Sequence, residues 1–338
     1  MAQNYVADTA QLPPGARLRE GGEADIERVV EFLNRWATPA QWQAASAVRH
    51  VESAVPEPNR LRLLVEDSNG FLIAYGTTGD GGPFRSPDGS WRMNLRVDPT
   101  SRRRGIGASL LDRLQAHAQN KGASRLIAAV RGNEPDGVAF AASHGFTKFH
   151  ERIDAYIDVA QFDPSAFPDP DETARTGGVR LATYGELLDE NEADVESFQR
   201  AMLPAIWAMA RDVPAPTPMP EQPPPFEQAK RMFFEGPGID RETTILALKP
   251  DGAIVGMSVT AVKENGTAYT NFTGVARAER GKGIALAMKL RALRALKKQG
   301  IKLFGTTNDA QNAAMRGINK RLGYVPDPPT LMYEKKFR

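Results

Sequence analysis

The chain carries one internal repeat, and this repeat constrains its fold more than any other feature. The stretch NLRVDPTSRRRGIG at 94–107 is matched by FTGVARAERGKGIA at 272–285, which begins 178 residues later (272 − 94). Gly145 and Gly323 keep the same spacing (323 − 145), and each is followed by an aromatic residue. Since these anchors share one offset, the residues between them align without a net insertion. We therefore expect two copies of one fold unit, named copy one and copy two below.

The length of 338 residues allows each copy a domain with its own hydrophobic core. Three prolines, several acids and a closing glycine pair are typical of a linker at residues 161–178. This predicts an N-terminal domain at 1–160 and a C-terminal domain at 179–338. Copy two also contains a proline-rich stretch at 213–226, which excludes a helix or a central strand there. That stretch is either a stiff surface loop or one wall of a substrate site.

Both copies follow the order strand, basic glycine loop, helix, strand, helix and glycine-aromatic turn. In copy one, the strand spans 91–97, the helix 106–121 and the next strand 125–130; in copy two they span 269–275, 284–299 and 302–307. Apolar residues recur every four positions along the first of these helices, at Ile106, Leu110, Leu114 and Ala118. The alternation of strands and helices predicts an α/β fold for each copy.

The loop before each long helix combines glycine with arginine or lysine. Backbone N–H groups at a helix N-terminus carry roughly half a positive charge, and glycine lets the backbone approach a ligand closely. The pattern therefore predicts a pyrophosphate site. A dinucleotide-binding loop is excluded because it needs a third glycine and a later acid. A Walker loop is excluded because Ala276 and Gly283 stand where it needs glycine and Ser/Thr.

With these residues, Arg-x-x-Gly-x-Gly/Ala after a strand that ends in valine, the chain resembles the Gcn5-related N-acetyltransferase (GNAT) family. Its duplication is similar to the two-domain, mycothiol synthase-type branch of that family. The resemblance implies two tandem domains, each a central mixed β-sheet flanked by helices, with acetyl-CoA lying between two diverging parallel strands. It also implies direct transfer of the acetyl group to a primary amine, without a metal. The residues implied to hold acetyl-CoA are Leu95, Val97, Arg102, Arg103, Arg104, Gly105, Gly107 and Ala108 in copy one, and Thr273, Val275, Arg280, Gly281, Lys282, Gly283, Ala285, Leu286 and Asn312 in copy two.

The catalytic residues are harder to assign. The family often has a tyrosine four residues before the glycine-aromatic turn, as the proton donor to the leaving thiolate; this chain has Ala141 and Asn319 there. Copy two keeps an asparagine, Asn312, where the family contacts CoA, so we expect copy two to be catalytic and copy one to be degenerate. The candidate catalytic residues are Asn319, Thr273, Asn271 and Glu235. Tyr269, Asn271 and Thr273 alternate along one strand, which predicts one shared polar face. Glu235 is either a base or an ordinary surface acid.

Composition excludes several other classes of protein. The chain has no cysteine, which excludes disulfides, thiolate metal sites and a cysteine nucleophile, and its four histidines form no metal-ligand pair. A net charge of +2 gives no reason to expect a nucleic acid partner. No apolar run approaches the ~18 residues of a membrane span, and residues 1–15 lack the pattern of a signal peptide. We expect a cytoplasmic enzyme that acts on a small-molecule amine, as a monomer or homodimer. The alternative is a non-catalytic protein that binds or senses acyl-CoA.

Overall fold

A computed structural model describes residues 12–39 and 41–337, and the N-terminal stretch considered for a signal peptide lies mostly outside this range. In the described part, one sheet of 13 strands runs through both copies. The strands are β1 (Arg17–Glu20), β2 (Leu61–Glu66), β3 (Leu72–Gly79), β4 (Ser90–Val97), β5 (Arg125–Arg131), β6 (Thr147–Asp158), β7 (Arg180–Thr183), β8 (Ile245–Leu248), β9 (Ile254–Val262), β10 (Thr267–Val275), β11 (Leu303–Asp309), β12 (Val325–Pro326) and β13 (Thr330–Lys336).

Helices cover both faces of this sheet. They are α1 (Ile26–Asn34), α2 (Ala45–Ala54), α3 (Ile106–Asn120), α4 (Pro135–Ser143), α5 (Pro170–Thr176), α6 (Tyr184–Glu190), α7 (Val195–Arg211), α8 (Phe226–Ala229), α9 (Ile284–Lys298) and α10 (Ala313–Leu322). The predicted apolar stripe of α3 is buried, because Ile106, Leu110 and Leu114 pack against β2 and β3 in one core cluster. The α/β fold expected for each copy is confirmed.

The two copies exchange their last strands. The strand order is β1-β2-β3-β4-β5-β13-β6-β11-β10-β9-β8-β7, so the C-terminal strand β13 lies between β5 and β6 of copy one. The first half of β6 pairs with β13, and its second half continues into copy two and pairs with β11. Sheet pairing therefore crosses the predicted domain ranges 1–160 and 179–338. The exchange covers strand edges that would otherwise expose unpaired backbone groups.

The predicted linker at 161–178 contains a packed helix. Asp169 caps α5 by accepting hydrogen bonds from the backbone N–H groups of Asp171 and Glu172. Ala174 of this helix is fully buried in a cluster with residues of α9. The segment is thus part of the core of copy two, although its prolines and acids are also typical of a connection.

Two parallel strand pairs diverge at matching places. β4 and β5 pair from Ser90–Arg125 to Met93–Ala128, and β10 and β11 pair from Thr267–Leu303 to Thr270–Thr306. Beyond these positions the paired strands separate, which leaves an opening in the sheet of each copy. A β-bulge between Thr270 and Phe272 interrupts the register of β10 with β9. The register of β4 with β3 is regular.

Candidate functional site

A cavity of about 670 Å³ lies in copy one where β4 and β5 separate; we name it the copy-one cavity. Residues 93–97 of β4 and 128–131 of β5 form two of its walls. The loop before α3, the first turn of α3, and α4 close the other sides, and Thr330 of the exchanged strand β13 also lines it. This volume is in the range of sites that hold small molecules and cofactors.

The loop of copy one presents a helix N-terminus to this cavity. Gly105 has a φ of +80°, and its counterpart in copy two, Gly283, has a φ of +78°. Arg103 has a φ of +63°, and its counterpart Gly281 has a φ of +81°. These left-handed residues turn the chain so that the first amides of α3, which have no acceptor within the helix, border the cavity. Such amides bind anions. The same backbone is built in copy two, where both left-handed positions are glycine.

The second glycine of copy one has a different role. Gly107 lies inside α3, and a Cβ atom there would lie 3.2 Å from Cε2 of Phe140, which lines the copy-one cavity. Glycine thus lets α3 approach α4 closely at the cavity wall. The Phe140 ring packs against His144 at a tilt of 34°, with ring centroids 4.1 Å apart, and the His144 Nδ1 lies 2.8 Å from the Phe140 carbonyl oxygen.

The first arginine of each loop holds the loop on its strand. The Nε of Arg102 donates to the carbonyl oxygen of Val97 at 3.3 Å. In copy two, the Nε of Arg280 donates to the carbonyl oxygen of Val275 at 3.0 Å. The same hydrogen bond in both copies gives these side chains a structural function.

Acids neutralise the basic loop of copy two. Asp212, at the end of α7, accepts hydrogen bonds from Arg277 and Arg280, each at 2.8 Å. The Arg277 hydrogen bond, with help from both charges, lowers the pKa of the Asp212 carboxyl. Lys282 pairs with Glu279 at 2.6 Å.

In copy one the loop keeps more of its charge. Arg102 reaches Asp136 at 3.3 Å. Within 12–39 and 41–337, Arg103 and Arg104 form no ion pair with an acid. The unpaired positive charge of the described loop is therefore greater in copy one.

The four candidate catalytic residues have separate neighbours. Asn319 is buried, and its Nδ2 donates to Oδ1 of Asn308. The hydroxyl of Thr273 lies 3.0 Å from that of Ser258. Glu235 is half exposed, and its carboxylate lies 3.7 Å from the Lys230 ammonium. Asn271 is exposed at the bulge of β10 and Asn312 caps α10, where it accepts from the Met315 N–H.

The prediction that Thr273 shares one polar face of β10 with Tyr269 is wrong. The bulge after Thr270 breaks the alternation, and Val275, two positions after Thr273, packs against α9. Tyr269 lies on the other face, since its neighbour Ala268 packs against α9. An inserted residue shifts all later side chains of a strand to the opposite face. Tyr269 and Thr273 therefore face opposite sides of the sheet.

A hydrogen-bonded chain between the copies was not expected from the sequence. The Tyr269 hydroxyl is hydrogen-bonded to Thr307, and Thr307 donates to the carboxylate of Asp154. Burial raises the pKa of Tyr269. Asp154 lies on β6 and Thr307 on β11, which become neighbours through the strand exchange. In the sequence, Asp154 is a polar residue within a strand of copy one, and its local sequence does not indicate a partner in copy two.

Comparison with known proteins places both copies in one family. The model of the acetyltransferase (GNAT) family matches residues 27–146 and 206–324, one match in each copy. The chain belongs to the GNAT acetyltransferase family. The enzyme class expected from the loop motifs is thereby confirmed, as are the tandem arrangement and the fold.

Two relatives of known activity cover different shares of the chain. Mycothiol acetyltransferase of Clavibacter michiganensis is 27% identical over 285 residues, which are 82% of this chain and 84% of that protein. L-methionine sulfoximine/L-methionine sulfone acetyltransferase of Salmonella typhimurium is 26% identical over 170 residues, which are 45% of this chain and 98% of that protein. This chain is thus similar over most of its length to a mycothiol enzyme.

Solved structures share the whole tandem fold. A GNAT protein from Sphaerobacter thermophilus superimposes with a TM-score of 0.70 at 20% identity, covering 97% of each chain. A tandem GNAT protein from the clavulanic acid biosynthesis pathway superimposes with a TM-score of 0.67 at 18% identity, covering 95% of this chain and 98% of that one. At these identities the likeness shows the fold.

Two kinds of feature are absent from the described residues. In 12–39 and 41–337, no three histidine, aspartate or glutamate side chains group as metal ligands. Over the same residues, no helix has both the length and the apolar character needed to cross a membrane.

Proposed function

We propose that this enzyme transfers the acetyl group of acetyl-CoA to a primary amine of a small molecule, by direct attack within a ternary complex. The observation that carries this proposal is the copy-one cavity, which joins the opening between β4 and β5 to the N-terminus of α3. A cofactor with a long pantetheine arm and a pyrophosphate needs both features. Family membership supports the reaction class.

The pyrophosphate is expected at the first amides of α3. Residues 105–108 border the cavity, and Arg103 lines it as well. Helix amides and an unpaired arginine together attract a doubly charged group. The pantetheine arm would follow residues 94–97 of β4, which have no partner on β5. Acetyl-CoA is the cosubstrate in this proposal, and no metal takes part.

Direct transfer is proposed because the chain has no cysteine to serve as a covalent nucleophile. The neutral amine attacks the thioester carbonyl directly and the CoA thiolate leaves. A backbone N–H near the strand opening would stabilise the oxyanion of the tetrahedral intermediate. A general base must keep the amine neutral.

Both copies are proposed as donor sites, for different reasons. Copy two is proposed as the catalytic copy because it keeps Asn312 at the position where the family commonly contacts CoA. The copy-one cavity supports a donor site in copy one, although Ala141 replaces the usual tyrosine there. Ala141 and Asn319 together favour one alternative, a protein that binds acyl-CoA without catalysis.

The acceptor is proposed to be a small-molecule amine because both curated relatives are named for small-molecule acetylation. We further propose a cytoplasmic enzyme, monomeric or homodimeric, that does not bind nucleic acid or membranes. Its near-neutral charge balance of 43 basic and 41 acidic residues supports the exclusion of nucleic acid.

Calorimetric titration with acetyl-CoA, followed by CoA release with a panel of small primary amines, tests the proposal. Gly105→Val and Gly283→Val each strain a left-handed residue and should weaken the site of their own copy about tenfold. Loss of turnover with one variant identifies the catalytic copy. Binding without CoA release for any amine would establish the non-catalytic alternative. No binding at micromolar concentrations would reject acetyl-CoA as the donor.

A further inference from the structure

The interior of copy two is polar at six positions where copy one is apolar. In copy two these residues are Thr270, Lys289, Thr306, Asn308, Asn319 and Tyr324. Their counterparts in copy one are Met93, Leu111, Ala128, Val130, Ala141 and Phe146. Five pairs share the offset of 178 residues. The sixth pair, Met93 and Thr270, is matched by position in the sheet. Met93 pairs with Ala128, and Thr270 pairs with Thr306, which is the counterpart of Ala128.

The counterparts in copy one form one wall. All of them except Leu111 line the copy-one cavity, and Leu111 packs in the same core cluster as Ala141 and Phe146. Five of these positions therefore line the proposed donor site of copy one. Polar residues at the matching positions change which chemical groups the interior of copy two can bind. Core positions rarely become polar without a partner.

Four of the polar side chains of copy two carry an atom without a partner among the described residues. Lys289 is 1% exposed, and within that part of the chain its Nζ has no hydrogen bond and no carboxylate. Nζ lies 5.2 Å from the ring centre of Tyr324 and 5.9 Å from that of Phe304. The hydroxyls of Tyr324 and Thr270 are neighbours but do not reach hydrogen-bond geometry. The Oδ1 of Asn319 is also buried without a donor.

Leaving these groups unpaired is costly. A buried donor without an acceptor costs about 1–3 kcal/mol, and a buried charge costs more. Desolvation lowers the pKa of Lys289 to about 7. Leucine fills the matching position of copy one without any of these costs, so packing alone does not explain the lysine.

The chemistry of the unpaired groups favours one class of ligand. Lys289, Tyr324 and Thr270 are hydrogen-bond donors, and only Asn319 offers a free acceptor. These three donors, of which the Lys289 ammonium is a buried cation, match an anion with several acceptor oxygens. A carboxylate fits this set better than water, because it also supplies the opposite charge.

We propose that the interior of copy two binds a carboxylate group, with Lys289 as its cation and the Tyr324 and Thr270 hydroxyls as donors. Two sources share this chemistry. One is the end of a dicarboxylic acyl chain on CoA, such as succinyl-CoA, and this source rests on the proposed donor site. The other is a small free carboxylate such as succinate, which requires no acyl-CoA.

The test compares the unmodified protein with Lys289→Met and with Leu111→Met as the matched control in copy one. Lys289→Met places an apolar side chain where copy one has leucine and is expected to fold. Each protein is titrated calorimetrically with succinyl-CoA, acetyl-CoA and succinate. We expect the unmodified protein to bind one carboxylate ligand about tenfold more tightly than Lys289→Met does, the change expected for a charge-assisted hydrogen bond. Leu111→Met should keep the affinity.

Each outcome has one meaning. A preference for succinyl-CoA over acetyl-CoA that Lys289→Met abolishes supports the acyl-chain source. Binding of free succinate that depends on Lys289, and that acetyl-CoA does not displace, supports the free acid. Equal affinity of the unmodified protein and Lys289→Met, or no carboxylate binding at all, overturns the proposal. Acetyl-CoA is titrated into all three proteins, and failure of the general acetyltransferase proposal is seen separately as no acetyl-CoA binding to any of them.

Discussion

Arg125 on β5 forms an ion pair with Glu334 on β13, 209 residues later in the chain. The neighbouring Tyr333 is 6% exposed and packs in the core of copy one with Trp91 and Leu126. The C-terminal strand is therefore an integral part of the first copy. Copy one cannot complete its sheet without residues 330–336.

A chain that ends at Pro328 should lose the fold of copy one. Removing the buried Tyr333 alone is expected to cost about 3 kcal/mol, and the lost strand exposes the edges of β5 and β6. Hydrogen exchange should become faster in β5, and acetyl-CoA should no longer bind copy one. Lys336→Ala is the control, since that side chain is 72% exposed. Unchanged exchange in β5 would contradict the role of the exchanged strand.

Gly107→Val should narrow the copy-one cavity. Even a Cβ atom lies 3.2 Å from Phe140, so the branched side chain must displace that ring into the cavity. We expect acetyl-CoA affinity at copy one to fall about tenfold, which corresponds to about 1.4 kcal/mol. Calorimetry measures this affinity. Ala285→Val changes the matching residue of copy two and should leave the copy-one site unaffected; an equal loss in both variants would refute a local effect.

Local patterns were enough to predict the repeated unit. The strand, loop and helix around Gly105 and Gly283 depend on nearby residues, and both glycines have left-handed φ values. The spacing of the apolar residues from Ile106 to Leu114 places them on one face of a helix and predicts that this face is buried. These residues are buried in the structure. Most of the fold of each copy could therefore be predicted from short segments of the sequence.

Long-range pairing could not be predicted in this way. Nothing near β13 indicates that it pairs with β5 rather than with copy two, because strand pairing depends on the whole sheet. The bulge after Thr270 was missed because one inserted residue leaves no compositional signal, and it reversed the face of Thr273. The acid opposite the loop of copy two, Asp212, lies 65 residues before Arg277.

Asp212→Asn should strengthen CoA binding in copy two. The Asp212 carboxylate is hydrogen-bonded to Arg277 and Arg280. A phosphate that approaches these guanidinium groups is therefore repelled by the negative charge of Asp212. We expect an increase of about fivefold at low salt, since exposed charge pairs contribute up to about 1 kcal/mol. Calorimetry with CoA in a Gly105→Val background isolates copy two. Asp189→Asn, an exposed acid on α6, should have no effect.

The stability of the ligand-free protein should rise with pH because of Lys289. Burial lowers the pKa of Lys289 from 10.5 to about 7 in the folded state. Between these values the unfolded chain binds a proton that the folded protein does not, so raising the pH favours folding. From pH 7 to 9 the gain should be roughly 2 kcal/mol, at about 1.4 kcal/mol per unit. Burial also raises the pKa of Tyr324, which stays neutral throughout this range.

Urea unfolding at pH 7, 8 and 9 measures this gain as the difference between the unmodified protein and Lys289→Met. The difference should be largest at pH 7, where the methionine of the variant avoids the burial of a charge, and should shrink as Lys289 loses its proton. Lys298→Met, at the exposed end of the same helix, should show no such trend. Parallel pH curves for the unmodified protein and Lys289→Met would mean that the buried amine keeps one protonation state. A carboxylate bound to Lys289 should also suppress the trend, because it holds the lysine in its charged form.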